Sequence, residues 1–226
     1  MFFDTYFMVL VVPTLILSLL AQFMVKSTFS KYSNVRSSRN ITGNEAASLL
    51  LKTNSINDVN VEGIQGALTD HYDPRDKMLR LSQPVYSQTS IAAIGVAAHE
   101  AGHAIQHATG YGPLILRSTL VPVANIGSRF GPWVAIAGIF FSMPLLLNVG
   151  IVLFGGAVLF YLITLPVEFN ASSRALALLK SNNVLNAQEL EGARKVLNAA
   201  AMTYVASALT ALMSLLRLVL IARGRR

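Results

Sequence analysis

The stretch FGPWVAIAGIFFSMPLLLNVGIVLFGGAVLFYLITLPV, from Phe130 to Val167, contains no charged residue. One transmembrane helix needs ~20 apolar residues, so this stretch is about twice the length of one span. Asn148-Val149-Gly150 lies near its middle and is typical of a turn. The stretch therefore predicts a hairpin of two transmembrane helices, over residues 130–147 and 149–167.

The composition of the chain also indicates a membrane protein. Hydrophobic residues make up 53% of the 226 residues and charged residues only 13%, and the mean hydropathy is +0.52. Such a chain is too apolar for an ordinary soluble domain. The formal charge of +7 is explained by loops that face anionic lipid, and no basic-aromatic motif indicates binding of nucleic acid. The chain has no Cys, which excludes disulfides and thiolate metal sites.

Two shorter apolar segments lie near the ends of the chain. Residues 5–25 carry no charge and predict a first transmembrane helix. The alternative is a cleaved signal peptide, which needs a positive start and a small-residue cleavage site; here Asp4 precedes the segment and Lys26 follows it. Residues 198–216 predict a last helix, with Arg217 close enough to its end to snorkel. The sequence thus predicts a mainly α, integral membrane fold with about four transmembrane helices.

The predicted hairpin returns the chain to the side of the membrane that it left. The polar segment 26–129 and the segment 168–197 then face the same compartment. Most Lys and Arg residues lie in these segments and none lies in the hairpin turn, so the positive-inside rule places both segments in the cytoplasm. Arg223, Arg225 and Arg226 contradict this orientation if the last helix crosses the membrane.

The polar segment predicts a short helix followed by a small sheet. Thr42 and Glu45 form the pattern of a capping box, so Glu45 is expected to be structural. Residues 59–64, 67–72 and 77–82 predict three short antiparallel strands. The edge of this sheet could pair with an extended peptide, or the sheet could serve only to cover the helix that follows.

His99-Glu100-Ala101-Gly102-His103 places two imidazoles one helical turn apart, with a carboxylate between them. A helix over residues 90–109, capped by Thr89 or Ser90 and followed by Gly110, would project both imidazoles from the same face. Both can reach one Zn²⁺, and Glu100 can take a proton from a water that the ion activates. This pattern predicts a metal site on a helix.

A catalytic zinc site usually has three protein ligands, so a third ligand is needed. His107 follows His103 by four residues, but His99 and His107 would lie about 12 Å apart along a continuous helix, too far for one ion. We therefore predict that His107 packs or supports a ligand. Glu168 is the first charged residue after the hairpin, on the side of the histidines. From spacing alone, it is either the third ligand or a marker of the membrane boundary.

Three motifs together resemble a known family. HEAGHAIQH at 99–107, LTDHYDPR at 68–75 and PVEF at 166–169 resemble the YugP-type neutral zinc metallopeptidases of bacterial membranes, and the resemblance covers nearly the whole chain. The architecture is also similar to that of HtpX-type and membrane CAAX prenyl proteases, which use a downstream Glu as third ligand. The resemblance implies a gluzincin-like site, with one Zn²⁺ per chain held by His99, His103 and Glu168.

Two positions carry further expectations from the resemblance. The family pattern has an Asp after the Glu-Phe pair, whereas this chain has Asn170, which can hydrogen-bond a ligand but supplies no negative charge. This departure puts the zinc affinity or the basicity of the ligand in doubt. His71, in the second motif, is a candidate for stabilising the oxyanion of peptide hydrolysis, and Tyr72, Arg80 and Arg174 are rivals. The alternative is that His71 is an ordinary strand residue.

The sequence as a whole predicts a single membrane metallopeptidase domain over 1–226, with a small α+β, zincin-like catalytic segment at the membrane surface. Its function would be zinc-dependent cleavage of membrane or membrane-proximal proteins in a bacterial cell membrane, with Glu100 as general base. Its expected partners are a peptide or membrane-protein substrate, the lipid bilayer, and a membrane-protein partner or a larger protease complex. One alternative is an inactive adaptor that binds clients without cutting them, which Asn170 favours. The other is a transporter or channel, against which the lack of charges in the first three apolar segments argues.

Overall fold

The computed structural model describes residues 4–224. Within them the chain is mainly helical, and one π-helical turn, Phe7–Val11, leads into the first α-helix. The α-helices are α1 (Val12–Ser33), α2 (Gly43–Thr53), α3 (Gln83–Ser87), α4 (Ile91–Ala108), α5 (Gly112–Phe140), α6 (Pro144–Ser181) and α7 (Ala187–Arg223). The strands are β1 (Asn60–Ile64), β2 (His71–Asp73) and β3 (Met78–Ser82).

The chain divides into two compact units. The helical unit consists of the residues up to Gln22, residues 115–166 and the residues from Met202 onwards. The α+β unit consists of residues 23–114 and 167–201, and it contains the sheet together with α2, α3 and α4. Because α1, α6 and α7 are long, each contributes one part to each unit.

The turn within the uncharged stretch lies at residues 141–143, where Ser142 has a φ of 54° and Pro144 begins α6. The predicted turn at Asn148-Val149-Gly150 is wrong, because these residues lie inside α6. Gly150 packs against the backbone of Ala135, and a Cβ at this position would collide with it. This glycine therefore allows close packing of α5 against α6, as small residues do between membrane helices.

Among residues 4–224, three helical segments are long and apolar enough to cross a membrane: Phe7–Ser33, Pro144–Ser181 and Ala187–Arg223. They cover three of the four predicted spans, and the predicted span over 130–147 is not among them. Within the described residues, four transmembrane helices are therefore not confirmed. Only residues 130–140 of the uncharged stretch belong to α5, whose other part carries Arg117 and Arg129.

The sheet of the α+β unit has the strand order β1-β3-β2 and is mixed, whereas an antiparallel sheet was predicted. β1 pairs with β3 in parallel, and β2 pairs with β3 antiparallel. The second strand begins at His71 instead of Ala67, because Gly66 and Leu68 have positive φ angles and turn the chain. β2 thus forms one edge of the sheet with only three residues.

Local signals in the sequence correctly predicted the starts of α2 and α4. Thr42 and Glu45 form the expected capping box, in which each side chain accepts the backbone N–H of the other residue. Ser90 caps α4 by accepting the N–H of Ala93 at 3.2 Å, and Gly110, with a φ of 62°, follows its end. The side of α4 that packs in the core of the α+β unit consists of Ile91, Ile94, Ala97, Ala98, Ala101, Ala104 and Ile105.

Polar contacts join the N-terminal helix to α7 in the helical unit. Nη2 of Arg217 lies 2.6 Å from Oδ2 of Asp4, and the guanidinium also lies over the Phe7 ring. The hydroxyls of Ser18 and Thr210 are 3.2 Å apart. Arg217 is thus held by Asp4, whereas a snorkelling side chain was predicted.

Candidate metal centre

α4 brings the two histidines of the HEAGH motif to one face. The rings of His99 and His103 have centroids 4.7 Å apart and are nearly perpendicular, at 85°. α4 approaches α6 closely beside them, since a Cβ on Gly102 would lie 2.7 Å from the carbonyl oxygen of Ala171. The glycine of the motif therefore allows both histidines to reach side chains of α6.

Glu168 on α6 completes a cluster with the two histidines. Its Oε2 lies 3.2 Å from Nε2 of His99 and 3.5 Å from Nε2 of His103. One ligand atom from each of the three residues lies within 4.8 Å of the others, and Glu168 is only 3% exposed. The structure thus brings together the three residues that were predicted as metal ligands.

Each histidine is held by a hydrogen bond at the nitrogen that faces away from Glu168. Nδ1 of His99 lies 3.1 Å from Oγ of Ser172, and Nδ1 of His103 lies 3.0 Å from Oε1 of Gln106. Because Oε1 only accepts, Nδ1 of His103 is the donor in this bond, and Nε2 is the nitrogen left to face Glu168. Two imidazole nitrogens and one carboxylate oxygen are a donor set used by catalytic Zn²⁺, so the residues present fit this ion.

A network of hydrogen bonds continues from Gln106 along α6. The Gln106 side chain is fully buried, and its Nε2 donates to the Val167 carbonyl at 2.9 Å and to Oδ1 of Asn170 at 3.0 Å. These two bonds fix which end of the amide faces His103. Oδ1 of Asn170 accepts a second bond from Nε of Arg174 at 2.8 Å. The amide of Asn170 thus accepts from two donors but adds no negative charge.

Carboxylates make the surroundings of His103 attractive to positive charge. Burial alone would lower the pKa of His103, but the hydrogen bond with Glu168 and the charges of Glu100 and Glu168 outweigh it, so the pKa is raised. The same negative potential favours a metal cation, which competes with protons for the imidazole nitrogen.

Glu100 lies beside the cluster and is only 8% exposed. Its charge acts on His103, but within residues 4–224 no group hydrogen-bonds its carboxylate. A carboxylate in such a position is a strong acceptor for a water molecule. Glu100 can therefore accept a proton next to the proposed metal site.

The other two histidines lie outside the cluster. His71 on β2 is exposed, and its Nδ1 lies 2.8 Å from the carbonyl oxygen of Thr69. Nδ1 of His107 lies 2.8 Å from the hydroxyl of Tyr72, so His107 joins α4 to β2. His107 is therefore not grouped with the ligands, in agreement with the prediction from helix geometry.

The sequence analysis missed Gln106 and Ser172, the two residues that hold the histidines. A signal for each was present: Gln106 follows His103 by three residues on α4, and Ser172 follows Glu168 by four residues on α6. Residues at these spacings share a helix face. A polar residue on the same helix face as a metal ligand is thus a candidate for the hydrogen-bond partner of that ligand.

Comparison with known proteins gives two matches over almost the whole chain. The family model described as "Putative neutral zinc metallopeptidase" matches residues 7–223. The chain is 50% identical over 215 residues to "Putative membrane protease YugP" of Bacillus subtilis (strain 168), which covers 95% of this chain and 96% of that protein. No solved structure matches the chain.

Proposed function

The chain belongs to the family of neutral zinc metallopeptidases, and from this premise we propose that it is a membrane-embedded, zinc-dependent endopeptidase. The observation that carries the proposal is the convergence of His99, His103 and Glu168 within 4.8 Å, beside the carboxylate of Glu100. A zinc peptidase needs both a ligand set with an open position and a base next to it.

His99, His103 and Glu168 would together hold one Zn²⁺ per chain. When bound, the ion polarises the scissile carbonyl and makes water more acidic. Ser172 and Gln106 hold the Nδ1 atoms of the two histidines, so that both Nε2 atoms point at the same place. This orientation precedes metal binding and reduces the conformational entropy that binding removes.

Glu100 carries the proton transfers in this proposal. Its carboxylate takes the proton from the attacking water and later gives it to the leaving amine. His71 is the proposed second catalytic residue: its imidazolium form would donate from Nδ1 to the Thr69 carbonyl and from Nε2 to the oxyanion. Its rival Arg174 is engaged by Asn170.

We propose that the site works at the cytoplasmic face of a bacterial cell membrane, on membrane or membrane-proximal proteins. The apolar helices support the membrane location, and the Lys and Arg residues of 26–129 and 168–197 support the orientation. Arg223 argues against it, and Arg225 and Arg226 lie outside the described residues.

Labelling of single cysteines tests this orientation, because the chain has no native Cys. A cysteine near residue 90 should react with an impermeant maleimide only after cell lysis. Reaction of this cysteine in intact cells would reverse the orientation.

An inactive adaptor, alone or in a larger protease complex, is the second candidate. Asn170 favours it, because an amide in place of the family's Asp gives the network behind His103 no negative charge. An adaptor would capture clients without cutting them, and removal of the metal would leave this capture unchanged.

Hydrolysis of an unfolded membrane protein by the detergent-purified chain tests the endopeptidase. We expect cleavage that a chelator stops and Zn²⁺ restores. Glu100→Gln should lower kcat about 10²–10⁴-fold, the usual contribution of a general base, whereas Asp58→Asn, at an exposed position, should leave it unchanged. His71→Ala should lower kcat about 10²-fold if it stabilises the oxyanion. Cleavage that survives both chelation and Glu100→Gln would refute the proposal.

A further inference from the structure

A groove with a volume of about 410 Å³ lies between α6 and α7 in the α+β unit. The face of α6 from Phe169 to Lys180 forms one wall, and the face of α7 from Leu190 to Ala201 forms the other. A short loop joins the two helices, which therefore run in opposite directions. Lys180 and Leu190 thus lie at the loop end of the groove, and Phe169 and Ala201 lie at the far end.

The far half of the groove presents polar side chains without partners. Ser173 and Asn198 line it, and neither side chain makes a hydrogen bond within residues 4–224. Ser172 lines the same half, and its Oγ lies 3.1 Å from Nδ1 of His99. Ser172 therefore contacts both the groove and the proposed metal ligand His99.

The half of the groove nearer the loop is lined by apolar side chains and, beside them, by two cationic side chains. Leu176 and Leu190 line it from opposite walls, followed by Lys180 and Arg194. Among the described residues, no Asp or Glu lines the groove, and the Lys180 side chain makes no ion pair or hydrogen bond. Arg194 pairs with Glu191 at 3.4 Å, but both side chains are about half exposed, so solvent screens this pair. This end therefore favours an anionic group.

We propose that the groove binds an extended segment of the peptide substrate, with an apolar side chain between Leu176 and Leu190 and a carboxylate at Lys180 and Arg194. The helix from Phe169 to Lys180 rises about 17 Å, the length of about five extended residues. That the bound peptide is a substrate rests on the proposed function, whereas the binding itself does not.

Two polar side chains favour a peptide over an anionic lipid. Lys180 and Arg194 alone would suit a phosphate as well as a carboxylate. Ser173 and Asn198, however, offer hydrogen-bonding groups to whatever occupies the far half. A peptide backbone has an N–H and a C=O at each residue to satisfy them, whereas an acyl chain has none.

Fluorescence anisotropy with two labelled, C-terminally amidated peptides tests the inference. The probes are Gly-Ser-Leu-Ser-Asp and its counterpart ending in Asn, added to the full chain in detergent with Zn²⁺ and with Glu100→Gln to prevent cleavage. We expect tighter binding of the Asp probe. Lys180→Glu and Arg194→Glu should each weaken it about fivefold, the value of a good exposed ion pair. Lys195→Glu, next to Arg194 but outside the groove, should not.

A probe of opposite charge separates a loss of binding from a loss of folding, because a misfolded variant would not bind this probe more tightly. Gly-Ser-Leu-Ser-Lys should bind more tightly to the Lys180→Glu, Arg194→Glu double variant than to the parent chain. Equal binding of the Asp and Asn probes, or equal loss in Lys195→Glu, would overturn the inference. Displacement of the Asp probe by phosphatidylglycerol vesicles in a Lys180-dependent way would assign the groove to lipid instead and also overturn it. If the Asp probe binds but the unmodified chain hydrolyses no protein, the proposed peptidase function is refuted while the proposed peptide groove is still supported.

Discussion

At the scale of the residue, one buried amide sets the orientation of His103. Gln106 is fully buried, accepts a hydrogen bond from His103 and donates to the Val167 carbonyl and to Asn170. Without this amide, Nδ1 of His103 would lose its partner in a buried place, at about 1–3 kcal/mol. The imidazole ring would then be free to turn Nε2 away from Glu168.

Gln106→Leu should therefore weaken zinc binding about 10–100-fold, as loss of a ligand's supporting hydrogen bond does. Competition with a chromophoric chelator at fixed pH measures the affinity. Gln65→Leu, at an exposed position, is the control and should leave the affinity unchanged. Equal affinity of the Gln106 variant and the unmodified chain would show that the amide does not hold the ligand.

Asn170→Asp tests the expectation that a carboxylate at this position strengthens the zinc site. A carboxylate can accept from both Gln106 and Arg174 and adds negative charge to the network, so we expect zinc to bind up to about tenfold more tightly. Asn170→Leu accepts neither bond and should weaken zinc binding in the same assay. Weaker binding by the Asp variant would mean that charge at this position does not reach His103.

At the scale of the element, the metal site depends on the close approach of α4 and α6. The atom nearest to a Cβ on Gly102 would be the Ala171 carbonyl oxygen, at 2.7 Å. This oxygen belongs to the backbone of a helix and cannot rotate away as a side chain could. An added methyl group must therefore separate the helices, which moves both histidines of α4 away from Glu168.

Gly102→Ala should lower the free energy of unfolding of the metal-free chain by about 1–3 kcal/mol, the usual effect of overpacking. It should also weaken zinc binding. Gly112→Ala is the matched control, because within residues 4–224 no atom beyond its own helical turn and chain neighbours lies within 4 Å of the Cβ that would be added there. Denaturation of both variants in detergent measures the difference. A Gly102 variant as stable as the Gly112 variant would contradict the packing described for α4 and α6.

Elements with short-range signals could be predicted from the sequence, and contacts between distant segments could not. Thr42 and Ser90 cap helices through residues only three positions away, so local chemistry was sufficient. Gly150 suits a turn and a close helix contact equally well, and only its neighbour Ala135 distinguishes the two. The role of Gln106 likewise depends on partners more than sixty residues along the chain.

At the scale of the whole molecule, an ion pair joins the beginning of the helical unit to its last helix, α7. Asp4 precedes the first helix and Arg217 lies near the end of α7, and their side chains are 26% and 16% exposed. Nε and Nη2 of the guanidinium both donate to Oδ2 of the carboxylate, at 3.1 and 2.6 Å. This contact links residues more than two hundred positions apart.

Asp4→Ala should lower the free energy of unfolding by about 1.5–3 kcal/mol, the value of hydrogen bonds to charged groups. Asp58→Ala is the control, since it breaks the ion pair with Lys77, in which both side chains are more than half exposed. Unfolding of both variants in nanodiscs of one lipid composition compares them. Equal losses would mean that the contact between the two ends adds no more than a surface pair.

Zinc content tests the three-ligand centre most directly. Elemental analysis of the chain, purified in detergent without chelators, should find about one zinc per chain. Glu100→Gln and His107→Ala should retain it, whereas His99→Ala and Glu168→Ala should lose it while keeping their helical circular dichroism. Zinc that is absent from the unmodified chain, retained in Glu168→Ala or lost in His107→Ala would contradict the assignment of His99, His103 and Glu168 as the metal ligands.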